Sequence, residues 1–342
     1  MKLLKLKNMK KLFSLFFSLI LITTLTSCDN MMEFDNTPHG NFKALWTILD
    51  RNYCFFEYKD VDWRAMYYKY SVRISPNITN DGLFNLMAEM LAELRDGHVN
   101  LFAAQNVARY WRWHEDYPPN FCSRIQRRYL GNDFGIAAGL RYTIFEDNIG
   151  YIHYGSFASG VGDGNLDQVL NRMAITKGII IDVRNNGGGN LTNADRIASR
   201  FFNERTHIGY IKHKTGPGHN DFSDFFPMFI ESSNRVRFQK PVVVLTNRAS
   251  YSATNQFVNI MRHAPNAIIV GDRTGGGSGL PFSSELPNGW SVRFSASPMF
   301  NSNREHIEFG IEPDIRVDMC EVDMANNIDT IIERARKIIR NM

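Results

Sequence analysis

Cysteine is scarce in this chain. Four occur in 342 residues, Cys28, Cys54, Cys122 and Cys320, with no CxxC pair and no Cys/His spacing of the kind that ligates a metal. No zinc-type centre and no disulfide-framed scaffold is therefore expected, and at most one disulfide is possible once Cys28 is otherwise used. The remaining three cysteines fit one bridge and a free thiol, or three buried apolar side chains. The GxGxxG and GxxxxGKS/T phosphate fingerprints are missing too, and no cofactor is expected. No internal repeat or low-complexity tract is present. An excess of one charge is also lacking: the formal +4 falls to −1 without residues 1–27, which carry five lysines and no acid. A nearly neutral chain gives no electrostatic case for nucleic-acid binding.

What is present begins with those lysines. Lys2, Lys5, Lys7, Lys10 and Lys11 precede an apolar run from Leu12 to Leu25, too short for a comfortable membrane span, and then Leu25-Thr26-Ser27-Cys28. Residues 1–27 read as a signal peptide whose end resembles the bacterial lipobox. That resemblance implies a lipid on Cys28, a tether over 28–40, and a protein held at a membrane of the cell envelope.

From Asn41 to Leu94 apolar residues recur at three and four positions, as in Phe42, Leu45, Trp46 and Leu49, and this predicts a small helical N-terminal domain over 41–97. Gly97 is expected to terminate its last helix, placing His98 at a helix-to-strand corner. Short apolar runs then alternate with helical segments: Ile149 to Tyr154, Gly178 to Val183, Pro241 to Thr246 and Ala267 to Val270. This pattern predicts an α/β fold with a mixed sheet covered on both faces, over residues 98–342. Residues 207–239 fit neither period and read as an inserted loop or lid.

Two strand ends carry residues suited to chemistry. One is the strand Gly178 to Val183 leading to Gly187-Gly188-Gly189, whose N–H groups before a helix make a ready oxyanion site. The other is Ser252, at the turn from the strand Val243 to Thr246 into a helix, where the Ala253 N–H can face an oxyanion. Taken alone, Ser252 is better read as a helix cap.

Six elements in order sharpen this: Asp96-Gly97-His98, Gly150-Tyr151-Ile152, Ile181 to Gly189, Ala249-Ser250-Tyr251-Ser252-Ala253, Val270-Gly271-Asp272 and Gly310-Ile311-Glu312-Pro313-Asp314-Ile315. Together they resemble the superfamily of tail-specific (C-terminal processing) proteases and the tricorn core. The resemblance implies a ClpP/crotonase-like core and a serine nucleophile at Ser252, with Ser250 as runner-up. In the processing branch a lysine activates the serine, but glycine stands at that position here, and the only lysine after Ser252 is Lys337. The histidine-using, tricorn-like branch is the closer match. It implies His98 as general base, an orienting glutamate at Glu308 or alternatively Glu312, and an oxyanion site at Gly187, Gly188 and Ala253. Tricorn-like enzymes carry a serine beside the histidine, where this chain has Gly97. The interval from His98 to Gly150 is too short for a PDZ domain.

The expected function is hydrolysis of peptides or unfolded protein tails by a serine peptidase. A degenerate binding protein for apolar ligands or peptides is the alternative, and polysaccharide handling a third. His153 could point into the same cleft, while His207, His213 and His219 read as surface or lid residues. Asp182 beside Arg184 reads as a structural ion pair.

Overall fold

The computed structural model describes residues 34–342, so the expected signal peptide, Cys28 and residues 29–33 of the expected tether lie outside the described residues. Three helices come first: α1 (Pro38–Asn52), α2 (Trp63–Ser71) and α3 (Asn80–Ala92). Each begins at a side-chain cap, since Thr37, Asp62 and Thr79 accept from Gly40 N, Ala65 N and Gly82 N. Helix α1 therefore starts three residues before the expected domain edge. The helices bury Phe42, Leu45, Leu49, Met87 and Met90 in a core that also contains Leu101, Val292 and Phe294. They do not close a core of their own.

The chain continues through β1 (Asn100–Ala103), β2 (Asn106–Arg109), α4 (Arg112–Glu115), α5 (Ser123–Leu130), β3 (Gly135–Ala137), β4 (Leu140–Ile144), β5 (Gly150–Tyr154), α6 (Asp163–Met173), β6 (Ile179–Asp182) and α7 (Leu191–Ala198). It ends with β7 (Thr206–Ile211), β8 (Phe226–Ile230), β9 (Val242–Thr246), α8 (Ala253–Met261), β10 (Ala267–Gly271), β11 (Gly279–Glu285), β12 (Ser291–Phe300), β13 (Ile315–Arg316), α9 (Glu321–Ala325) and α10 (Thr330–Asn341).

The main sheet has the order β13-β10-β9-β6-β5-β4-β3, and the four apolar runs are its adjacent parallel strands β10, β9, β6 and β5. Their runs are continuous because both faces are covered. Along β9, Val242 and Val244 face the core that holds Phe257 and Ile260 of α8, whereas Val243 and Leu245 face Ile331, Ile332 and Ala335 of α10. A second, antiparallel sheet, β2-β1-β12-β7-β8 with β11 on β12, lies under the N-terminal helices. The segment read as a loop or lid forms the β7–β8 hairpin of this sheet, paired to β12 at Met299 and Phe300. The alternation of β7 is broken by a register shift between His207 and Gly209, which hides its period. Cys54, Cys122 and Cys320 are free thiols.

The main sheet is tied to its covering helix by a buried ion network. Arg184, fully buried, reaches Asp182 at 2.7 Å and Asp329 at 3.0 Å, while Tyr151 Oη donates to Asp182 at 2.7 Å. Asp329 also caps α10 through Ile331 N and Ile332 N. Burial alone would raise Asp182, but the Arg184 guanidinium brings its carboxyl below the usual range. Breaking such a network strands two buried carboxylates, so Arg184→Ala is expected to cost about 3–5 kcal/mol. Urea unfolding checks this, and a loss under about 1 kcal/mol would remove the network as a structural tie.

Candidate active site

Strand β9 ends at Thr246, and the turn to α8 is pinned on both sides. Tyr251 N donates to Asn186 O at 3.0 Å, Ser252 N to Gly276 O at 2.8 Å, and Thr254 Oγ1 to Asn186 O at 2.8 Å. Held this way, Ser252 adopts φ 59° and ψ −119°, a conformation that costs a non-glycine residue about 1–3 kcal/mol. Its side chain makes no cap hydrogen bond, so the cap reading fails. The sharp strand-to-helix turn instead presents Oγ to the cleft. Ser250 is fully buried and donates from Oγ to Val183 O at 2.8 Å, which makes it part of the scaffold.

Ser252 Oγ lies 2.9 Å from His98 Nε2 although the two are 154 positions apart. His98 is 3% exposed. The turn before it uses Arg95, at φ 48°, as its left-handed residue, so Gly97 does not serve as the helix terminator. Gly97 is required for closeness: a Cβ there would sit 2.6 Å from Trp113 Nε1 and 2.8 Å from Tyr251 Oη. Those two rings stack at 3.9 Å, and both polar atoms are buried without partners. They fill the space that a side chain at position 97 would need.

Among the described residues no carboxylate reaches the His98 ring. For Oγ to donate to Nε2, Nδ1 must carry the ring proton; Nδ1 has no hydrogen-bond partner within ordinary limits among the described residues, and the Gly279 backbone acts on the ring as an acceptor would, raising its pKa. Glu308, expected beside the histidine, contacts Lys59 Nζ at 2.8 Å and accepts from Ser278 N at 2.7 Å. Glu312 is a surface residue paired with Arg273 at 3.4 Å, its side chain 61% exposed. Lys59 is buried, and also meets Asp96 Oδ2 at 3.3 Å. Asp96 accepts further from Tyr53 Oη at 3.0 Å, Ser295 Oγ at 3.0 Å and His98 N at 2.8 Å.

One ammonium thus serves two buried carboxylates. Burial would raise Asp96, yet Lys59, His98 and the donated hydrogen bonds hold it below its ordinary value. Burial pushes Glu308 up to about 7, with Lys59 opposing and Asp96 adding to the rise. Burial likewise pulls His98 down to about 4; Asp96 resists this, while Arg293 and Lys59 reinforce it. His98 is therefore neutral at pH 7, the form that accepts a proton.

The glycine loop closes the other wall. Gly188, at φ 97°, would place a Cβ 2.8 Å from Ser252 Cβ and 2.9 Å from Ala253 N, so only glycine lets the two turns meet. Its N–H is engaged by Asn186 Oδ1 at 3.0 Å, which removes Gly188 from the expected oxyanion donors. The N–H groups of Gly187 and Ala253 have no partner among the described residues. On one side of Ser252 lies a cavity of about 300 Å³ with Leu191, Leu280, Met299 and Ile307 in its lining; on the other is one of about 560 Å³ that includes Trp111, Trp113, Gly187 and Tyr251.

Of the other candidates, His153 stands in β5 opposite Asp182 and near Phe121, away from Ser252. His207 packs on Tyr210, His213 bonds Ser297 and His219 pairs with Asp50. Lys59 and the inward role of Asp96 were not foreseen. The motif Asp96-Gly97-His98 contained one of them, whereas nothing local marks Lys59. Among the described residues no group of histidines, cysteines and carboxylates could hold a metal ion.

Residues 148–317 match the family model Peptidase family S41, and residues 34–92 match the Tricorn protease C1 domain. A solved chain from Parabacteroides merdae, described provisionally as a peptidase, is 52% identical and superposes with a TM-score of 0.86, over 89% of this chain and 97% of that one. The carboxy-terminal processing protease CtpA of Bacillus subtilis is 23% identical over 177 residues, covering 51% of this chain and 36% of that protein. Mature CPAF shares the fold at a TM-score of 0.66 and 12% identity, over 89% and 96% of the two chains. The matched stretches span only 22% to 38% of the length of the curated relatives. With a family model over the sheet core and a half-identical relative aligned over nearly its whole length, the chain belongs to peptidase family S41.

Proposed function

We propose that the protein is a serine peptidase that hydrolyses peptide bonds of exported or unfolded proteins, with Ser252 as nucleophile and His98 as general base. The observation that carries this is the strained Ser252 backbone with Oγ 2.9 Å from a buried, neutral imidazole. Ser252 Oγ attacks the substrate carbonyl as its proton passes to Nε2. The carbonyl oxygen, now negative, takes the N–H groups of Ala253 and Gly187. His98 then gives the proton to the leaving amine, and water, activated by the same imidazole, hydrolyses the acyl group from Oγ. Asp96 lends its field to the transient imidazolium, and Lys59 with Glu308 holds Asp96 in place. A merely binding protein would have no need of a strained serine on a base. The lysine-rich leader and Cys28 support a lipid-anchored enzyme of the cell envelope.

Labelling with a fluorophosphonate and turnover of a denatured protein test the assignment. Ser252→Ala is expected to abolish labelling, and either Ser252→Ala or His98→Ala to lower kcat roughly 10³-fold or more. Undiminished turnover in both variants would sink the assignment. Because His98 loses its proton near pH 4, the acid limb of kcat/KM is expected near there, well below the ordinary histidine value. Asp96 raises the His98 pKa, so Asp96→Asn should carry that limb to still lower pH; a limb moving upward would contradict the electrostatic role. Replacing Cys28 by serine should release the protein from the membrane fraction, and unchanged partitioning would dismiss the anchor.

A further inference from the structure

Strands β2, β1 and β12 place Arg109 and Arg293 on either side of Asn100, which pairs with both. Residues opposite each other in an antiparallel pair project on the same face, so the three form one row across the sheet. All three line the cavity of about 560 Å³ that also contains His98 and Ser252, and Arg293 lines the smaller cavity as well. Arg293 therefore stands where the two halves of the cleft meet.

Among the described residues neither arginine has an anionic partner at contact distance. Among the described residues the Arg293 side chain makes no hydrogen bond and no ion pair, and Arg109 is recorded only over the Trp111 ring at 5.6 Å. Arg293 is half-buried, and a guanidinium cannot shed its charge to relieve that burial. No aspartate or glutamate lines either cavity. Asp96, the nearest acidic influence, is already occupied by Lys59, Tyr53 and Ser295. A cleft lined by two guanidinium groups without a partner carboxylate, in the same cavity as the reacting atoms, is built to receive an anion, and the fork of an arginine matches the two oxygens of a carboxylate.

We propose that Arg293, assisted by Arg109, forms a carboxylate subsite that positions the substrate beside Ser252. This rests on the peptidase reading of the cleft and names what that cleft selects. The carboxylate is either the free C-terminus of the substrate or an aspartate or glutamate side chain next to the cleaved bond. Arg293 would act as a specificity-determining residue, outside the proton transfers.

Binding to the Ser252→Ala protein tests this without turnover, using fluorescein-labelled hexapeptides of alanine and leucine read by anisotropy. One pair differs in a free or amidated C-terminus, and a second pair, both amidated, in one internal glutamate or glutamine. In at least one pair the charged member is expected to bind roughly tenfold to a hundredfold more tightly, as charge-assisted hydrogen bonds do. The pair that responds identifies the source of the carboxylate. Adding Arg293→Gln should erase the preference, and adding Arg109→Gln, at an exposed position, should reduce it while leaving the fold intact. Equal binding within both pairs, or a preference that survives Arg293→Gln, would overturn the subsite. In the catalytically intact protein, Arg293→Gln should raise KM for the charged peptide far more than it lowers kcat. Failure of fluorophosphonate labelling at Ser252 would refute the peptidase reading separately, leaving the binding result to judge the subsite.

Discussion

Lys59 supplies a single ammonium between Asp96 and Glu308, and both carboxylates are buried with it. The three residues come from the helical unit, the corner before β1 and the loop after β12, so the charge balance joins parts of the chain that share no local contact signal. Unpaired burial of any one would cost several kcal/mol, which makes their assembly close to all-or-none. The corner that carries Asp96 also carries His98, and the loop that carries Glu308 bonds to Ser278 at the start of β11. The walls of the cleft are thus fixed by a charge cluster that does not itself touch Ser252 Oγ.

Among the described residues no carboxylate accepts a hydrogen bond from the His98 ring. In the usual triad a carboxylate accepts from Nδ1 and selects the tautomer. Here Asp96 holds the backbone N–H of His98 and acts on the ring through space, while the ring sits among Tyr251, the Gly279 backbone and the cationic Arg293. The resting imidazole is kept neutral chiefly by burial.

Much of the main sheet was legible because its signal is local. Four apolar runs became four adjacent parallel strands, and the glycine loop and Ser252 fell at strand ends where open α/β sheets place their sites. His98 was legible through its motif. Lys59 was not, since its partners are 37 and 249 positions away and its own neighbours Tyr58 and Asp60 suggest only a surface turn. Glu308 was expected behind the His98 ring and instead meets Lys59 and Ser278 N, because spacing along a chain does not reveal which carboxylate reaches an imidazole. The second sheet was mostly hidden. Its strands are short or bulged, and it is finished by helices distant in sequence, so alternation survived clearly only at Trp290 to Ser295.

Gly97 carries a consequence for how such a site can change over time. Its missing side chain is the space into which the Trp113 indole and the Tyr251 phenol project, and Tyr251, stacked on Trp113, in turn packs against the histidine. A serine introduced at that position would collide with both, while smaller residues at 113 and 251 without the serine would leave a void behind the base. The residues at 97, 113 and 251 are therefore one steric unit, in which a change at any one of them must be answered at the other two.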